Sequence, residues 1–429
     1  MRALLLLFLH YSEPHDKAFY IPSKFETSYR IQPHSLMKLR RVDMLYCAII
    51  LAIAFGFSGA KMFVPLLMSI LIIIGVARLK WRKPVTTTIV LSGWYLMYVI
   101  GMLWSEDPSS SAKFLEYKAS LLVFPLLFSL APKQVNGAQK WIMTAFAIGT
   151  LGFDLFALVA GYIKFLPDGS WQELSYKRLA LHFHPTYLAV YNVFAWSWCI
   201  LTLDRSKKLD YIFKISLLMV SAVFVGMLAS RAGLLSMGAV LVFFLVRHFV
   251  QMDRRKIVLT TISLALFGST WFLPATAKRV DSAIHTGTQQ VQVKEKAVTS
   301  SQVRIVTWKN SVNLMLSHPF GVGTGDVTPE LVKLYKEQGE ETAADHQLNS
   351  HNQYLQTGVE LGWLGLLVLL FSMVPLARIV WQKKLILPGV FLFLCTFNML
   401  FESFVELQTG ITFFCFFLTF FIWQETNHA

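Results

Sequence analysis

The chain has 429 residues, 55% of them hydrophobic, with 35 phenylalanines and a formal charge of +14, and its mean hydropathy is +0.52. The apolar residues fall in runs of about 20, the length a helix needs to cross a bilayer, which excludes both a water-soluble globule and a barrel of short alternating strands. The positive charge does not signal nucleic acid, because Lys and Arg sit at the ends of the apolar runs and form no single stripe interleaved with aromatics.

From the N-terminus, Leu4 to Leu9 is too short an apolar run for a span or an ordinary signal-peptide core, and Met37 precedes the basic group Lys38, Arg40 and Arg41 as a natural start. Residues 1–36 are therefore expected to be disordered or an over-extended start. Spans are then expected at roughly 43–60, 62–77, 86–104, 114–131, 141–163, 186–203, 211–230, 232–250, 257–273, 356–381, 386–403 and 409–423. Their connections alternate in basicity. Lys38/Arg40/Arg41, Arg78/Lys80/Arg82/Lys83, Lys133/Lys140, Arg205/Lys207/Lys208, Arg254/Arg255/Lys256 and Lys383/Lys384 fall on one side, which the positive-inside rule assigns to the cytoplasm.

The expectation is an all-α polytopic membrane protein of about twelve helices with both ends inside. Residues 1–42 form an N-terminal cytoplasmic segment, 43–273 hold spans one to nine, 274–355 form one large external loop, 356–423 hold spans ten to twelve, and 424–429 are a cytoplasmic tail. Cys47, Cys199, Cys395 and Cys415 all lie in apolar spans without metal or redox spacing, so neither a disulfide framework nor structural zinc is expected.

The external loop is the one sizeable hydrophilic excursion. Apolar residues at Val303, Val306, Trp308, Val312 and Met315 predict a partly buried helix over 300–316, stopped by His318-Pro319. Gly321, Gly323 and Gly325 read as a tight turn, and a second helix is expected over 329–339. The glycine run follows a helix stop instead of a strand and has no downstream lysine, so it is not a phosphate loop; Asp-x-Asp and His-Glu-x-x-His are missing too.

Arginines at the outer edges carry the better signal. Arg231 stands between two spans with almost no polar loop, where it is either a snorkelling side chain or a binding group. Arg178 and its neighbour Lys177 lie at a second outer edge, upstream of His182, His184 and Pro185, and Arg304 lies in the loop. Three such arginines suit a phosphorylated lipid head, because the guanidinium fork matches phosphate oxygens in paired hydrogen bonds. His351, just before a span on the same face, is the candidate base, ahead of His182 and His184; His318, beside proline in a turn, reads as structural.

The run His351-Asn352-Gln353-Tyr354-Leu355 with Gly358, Glu360, Leu361, Gly362 and Gly365 resembles the signature of the O-antigen ligase and polymerase family of bacterial envelope glycosyltransferases. Arg304-x3-Trp308 and the 318–325 segment do likewise. Ser230-Arg231 with Gly233, Arg178 followed by Pro185-Thr186-Tyr187, and Trp104-Ser105-Glu106-Asp107-Pro108 extend the similarity over roughly residues 44–420.

The resemblance implies about twelve spans in the bacterial inner membrane, a periplasmic loop between spans nine and ten, and transfer of a glycan from undecaprenyl pyrophosphate. The acceptor is lipid A-core in the ligases and another lipid-linked repeat in the polymerases. It implies no cofactor, metal or nucleotide, and membrane lipids as surroundings. On these positions Arg178, Arg231 and Arg304 would hold pyrophosphate, with His351 removing the acceptor's proton in an inverting displacement. Asn352, Tyr354 and Lys177 would support, and Glu360 is a weaker polar candidate. A ligase is the leading expectation and a repeat-unit polymerase its near alternative. A lipid or polysaccharide transporter is the more distant one, because it would place charges near the midplane of several spans.

Overall fold

The computed structural model describes residues 41–59, 61–77, 86–132, 135, 138–274, 276–277 and 300–427. The N-terminal segment, the cationic groups at Lys38 and Arg40, at 78–83 and at Lys133, and loop residues 278–299 lie outside them. From Val42 onward the chain forms one compact unit. Among the described residues every regular element is helical.

In chain order these are α1 (Arg41–Gly59), α2 (Val64–Ala77), α3 (Thr86–Gly101), α4 (Pro108–Lys118), α5 (Ser120–Leu130), α6 (Gln139–Asp168), α7 (Tyr176–Leu179), α8 (Pro185–Leu201), α9 (Lys208–Leu228), α10 (Arg231–Val250) and α11 (Arg254–Ser269). Then follow α12 (Ser300–Ser317), α13 (Val327–Glu337), α14 (Glu341–Asp345), α15 (Gln353–Lys383), α16 (Ile386–Met399) and α17 (Gln408–Asn427).

Each expected span overlaps at least one helix, and four helices, α6, α9, α10 and α15, are long and apolar enough to cross a membrane. Two expectations are corrected. The segment at 114–131 is not one helix, because α4 ends at Lys118 and α5 begins at Ser120. The segment at 386–403 is helical only to Met399, and residues 400–407 form an irregular connection. Lys118, Glu402 and Glu406 lie in these breaks and are buried, so each needs partners that a continuous apolar helix would not offer.

Two helices form the interior. All but the last residue of α8 is buried, and Ile411 to Gln424 of α17 is buried throughout. Both sequences are apolar on every face, which suits a helix surrounded by protein. Their phenylalanines interlock with those of neighbouring helices. Phe194 and Phe417 have ring centroids 4.9 Å apart, Phe57 and Phe416 5.3 Å, and Phe391 and Phe413 5.7 Å.

At one end of this bundle, α12, α13 and α14 build a small cap with its own core of Leu314, Met315, Val327, Leu331, Tyr335 and Ala343. The cap is joined to the bundle through a break in α15. At Gly362 the backbone is non-helical (φ 68°), and the segment after His318-Pro319 fills the gap. Val322 N–H donates to the Val359 carbonyl (2.8 Å), Gly323 N–H to the Glu360 carbonyl (3.2 Å), and Trp363 N–H to the Pro319 carbonyl (3.1 Å).

Gly321 (φ 83°) and Gly362 make this possible. A Cβ at Gly321 would come 2.3 Å from the Glu360 carbonyl oxygen, and one at Gly362 would come 2.1 Å from that of Pro319. The turn continues into the connection between α3 and α4. Asp326 accepts from Ser105 Oγ (3.0 Å) and from Glu106 N–H (2.9 Å), and Thr324 Oγ1 donates to the Tyr98 carbonyl (2.6 Å).

Candidate functional site

His351 sits in the turn that leads from the cap into α15. Its backbone is left-handed (φ 45°), which a non-glycine residue adopts only where the surroundings enforce it. They do so from two sides. From α12, Trp308 Nε1 donates to the His351 carbonyl (3.4 Å), Thr307 Oγ1 donates to the Ser350 carbonyl (3.4 Å), and Ser311 Oγ shares a hydrogen bond with Ser350 Oγ (2.9 Å). From the 400–407 connection, the Leu400 carbonyl accepts from Asn352 Nδ2 (3.1 Å), and Ser403 Oγ donates to Asn349 Oδ1 (3.3 Å). Asn349 Oδ1 also accepts from His351 N–H (3.0 Å).

Asn352 caps α15. Its Oδ1 accepts from the N–H groups of Tyr354 (2.9 Å) and Leu355 (3.1 Å), two of the donors that a helix start leaves unpaired. Tyr354 donates from its hydroxyl to the Thr396 carbonyl (3.0 Å), tying α15 to α16. Two of the three expected supporting residues, Asn352 and Tyr354, therefore fix the start of the helix that follows His351.

The centre of the arrangement is a residue that the sequence did not single out. Glu402 accepts from Arg304 through Oε1 (2.8 Å), and its Oε2 lies 3.5 Å from His351 Nδ1, at the outer edge of hydrogen-bond reach. Its side chain is 9% exposed, against 22% for Arg304 and 28% for His351, so a nearly buried carboxylate lies beneath two partly open cations or donors. Burial alone would push the Glu402 carboxyl up. The hydrogen bond from His351 and the charges of His184, Arg304 and His351 outweigh it and hold the group below its ordinary value.

His184 belongs to the same cluster. It caps α8, its Nδ1 accepting from Thr186 N–H (3.4 Å), and Pro185 occupies the first helical position, where its missing N–H costs nothing. Burial depresses its pKa; Glu402 opposes that, while Lys177, His351 and Arg304 add to it. His182 is exposed and packs edge-on against Phe153. Of the two rival bases near Pro185, His184 lies within electrostatic reach of Glu402.

The expected arginines are placed unequally. Arg304 is in the cluster. Arg231 opens α10 directly after its cap Ser230, whose hydroxyl shares a hydrogen bond with Thr186 Oγ1 (2.8 Å), so its backbone stands beside the start of α8 and hence of His184. Arg178 is exposed and ion-paired with Glu173. Lys177, its neighbour, has a charge that reaches His184.

His318 accepts or donates only locally, with Nδ1 3.1 Å from the Leu314 carbonyl and 3.0 Å from Ser317 Oγ, as a structural residue would. Glu360 is buried, and its Oε1 accepts from Gly325 N–H (3.1 Å), so it anchors the glycine turn. Among the described residues no three His, Cys, Asp or Glu side chains gather as a metal ion would require.

The arrangement offers an imidazole oriented by a carboxylate, a guanidinium beside it, and a second imidazole in the same cluster. Such a site can take a proton from a hydroxyl while it stabilises negative charge a few ångströms away. The signal for Glu402 was present in the sequence as an acid at the outer edge of an apolar run, where an ionisable group is by default a functional one.

Residues 216–370 match the sequence profile of a family described as O-antigen ligase. The match spans Arg231, Arg304 and His351, and it supports the O-antigen ligase and polymerase superfamily. No curated protein matches the chain.

Proposed function

With the O-antigen ligase match as premise, we propose that the chain is a glycosyltransferase of the bacterial inner membrane that moves a glycan from undecaprenyl pyrophosphate to lipid A-core at the periplasmic face. The observation that carries this reading is the Glu402 carboxylate, held by Arg304 through one oxygen and facing His351 with the other.

In the proposed reaction, an acceptor hydroxyl oxygen forms a bond to the anomeric carbon while the bond from that carbon to pyrophosphate breaks. The electron pair leaves with the pyrophosphate oxygen, and the hydroxyl proton passes to Nε2 of His351. Glu402, on the Nδ1 side, fixes the tautomer that leaves Nε2 as the base and offsets the imidazolium that forms. Attack opposite the leaving group inverts the anomeric configuration.

Arg304 has five N–H donors and gives one to Glu402, leaving the rest of its fork for the leaving pyrophosphate. A fixed donor in such a site contributes about 3–4 kcal/mol to the transition state. Arg231 would extend the clamp from the start of α10, and Arg178 would join it after exchanging Glu173 for phosphate.

The topology proposed with this function has about twelve spans, with the cap and the 400–407 connection outside. It is supported by the opposite end of the bundle, where Lys383 pairs with Glu425 (2.7 Å) and Lys140 lies within electrostatic reach of Lys207.

The decisive experiment is reconstitution of the purified chain with an undecaprenyl-pyrophosphate glycan and, separately, lipid A-core or a lipid-linked repeat as acceptor, alongside Arg304→Ala. Transfer to lipid A-core that is lost in the variant supports a ligase. Elongation of the lipid-linked repeat instead makes the chain a polymerase. No transfer to either acceptor rejects the proposal.

A further inference from the structure

Beneath the cluster lies a second set of charged groups that the reaction does not use. Lys118 ends α4 at the break before α5 and is fully buried. Its ammonium donates to Glu406 Oε1 (2.6 Å) and to the Val405 carbonyl (3.1 Å), and it also lies 4.7 Å from the ring centre of Tyr98 and 4.9 Å from that of Phe114. Two oxygens and two aromatic faces thus surround its three donors. Gln353, two residues after His351, holds the same two positions from the other side. Its Oε1 accepts from Val405 N–H (2.7 Å), and its Nε2 donates to Glu406 Oε1 (3.0 Å).

The consequence is geometric. The 400–407 connection is irregular and carries Glu402 without a helix to fix its height. Directly after Glu402, Ser403 receives a hydrogen bond from Tyr187 on its carbonyl (3.3 Å), and two residues later the chain is gripped by Lys118 and Gln353. An apolar pair would fill the buried space of Lys118 and Glu406 with equal or better stability, but it would not fix the register of a loop to a particular carbonyl and carboxylate.

We propose that Lys118 is a positioning residue for glycan transfer: through Glu406 and the Val405 carbonyl it holds the 400–407 connection at the height where Glu402 meets both Arg304 and His351. The proposal rests on the transferase reading given above. Gln353 completes the latch by tying that height to the turn that bears His351.

The test compares the parent chain with Lys118→Met/Glu406→Leu, which removes both charges together and so avoids the collapse expected when a buried carboxylate loses its paired cation. Geometry is read without reference to activity, from the rate of disulfide formation between cysteines introduced by Asn349→Cys and Ser403→Cys, whose side chains meet at 3.3 Å in the parent. Turnover is read separately, without those cysteines, from single-acceptor transfer kinetics.

The latch predicts that the double variant is extracted from membranes in parental yield, forms the disulfide at least about tenfold more slowly, and loses about 10²-fold in kcat with the donor KM within about twofold. A merely structural role would lower the yield of folded protein and leave kcat per folded molecule unchanged. Disulfide formation at the parental rate, or parental kcat, overturns the proposal. A parent that forms the disulfide yet transfers glycan from no lipid-linked donor rejects the transferase reading, and with it the catalytic meaning of the latch.

Discussion

Oε2 of Glu402 stands 3.5 Å from Nδ1 of His351, across two segments that the chain brings together only after α15 and α16 have been traversed. An imidazole with a carboxylate on one nitrogen has its other nitrogen assigned as the proton acceptor. Neutralising that carboxylate without changing its shape is therefore the sharpest probe of the site. Glu402→Gln is expected to lower kcat by about 10²–10⁴-fold while the protein remains folded. Glu402→Asp should fall between, because a shorter side chain cannot reach both Arg304 and His351. Initial rates of glycan transfer near parental for the Gln variant would remove Glu402 from the mechanism.

His351 and His184 can be separated directly. His351→Ala should lower the transfer rate by about 10²–10⁴-fold. His184→Ala should be milder, since that imidazole caps α8. The reverse order, measured at equal amounts of folded protein, would move the base from His351 to His184.

The pH dependence of stability follows from the same groups. The depressed pKa of His184 means that the unfolded chain takes up its proton near 6.5 while the folded chain does not. Stability should then begin to fall as pH drops below about 6.5. Glu402 is likewise held below its ordinary value of 4.5, so its contribution is complete above that value and is lost as pH falls through the lower, folded one. Thermal midpoints in detergent from neutral to acid pH should show two successive losses. His184→Gln should remove the first and Glu402→Gln the second; identical acid profiles in all three proteins would contradict both assignments.

Gly321→Ala and Gly362→Ala should each destabilise the protein by at least about 1–2 kcal/mol from backbone conformation alone, with the carbonyl overlap adding to that. Lower thermal midpoints and lower membrane yields are expected for both. A Gly→Ala change at Gly339, which is also left-handed (φ 71°) but has open space around its Cβ position, serves as the control that carries the conformational cost only.

Topology is checked with single cysteines and an impermeant thiol reagent. Asp345→Cys in the cap should label in intact spheroplasts, and Lys384→Cys at the end of α15 only after permeabilisation. The opposite pattern would invert the proposed orientation.

Much of the helical architecture was legible because apolar runs and their basic flanks obey simple periodic and charge rules. The departures came where tertiary contacts override such rules. Lys118 reads as one cation inside an apolar run, and nothing local announces that a carboxylate from a segment far along the chain will meet it. Glu402 was absorbed into a span although an acid at the outer edge of an apolar run is itself a signal. Arg304, His351 and Asn352 were singled out through motif order, and a pairing of Arg304 with His351 was expected across the loop; the structure sets the Glu402 carboxylate between the two. The glycine run read correctly as a turn, but its partner, the break at Gly362, is visible only once backbone donors and acceptors are matched.

That break also limits how the chain can be re-engineered. The 319–325 segment supplies the N–H and carbonyl partners that α15 loses at Gly362, so the cap and the tenth expected span are one hydrogen-bonded unit although they read as loop and helix. A chimera that exchanges the loop with that of a relative at the helix boundary would strand those backbone groups in the interior. A graft that folds must carry residues 358–363 along with the loop, so that the unit of exchange runs past the boundary that hydropathy draws.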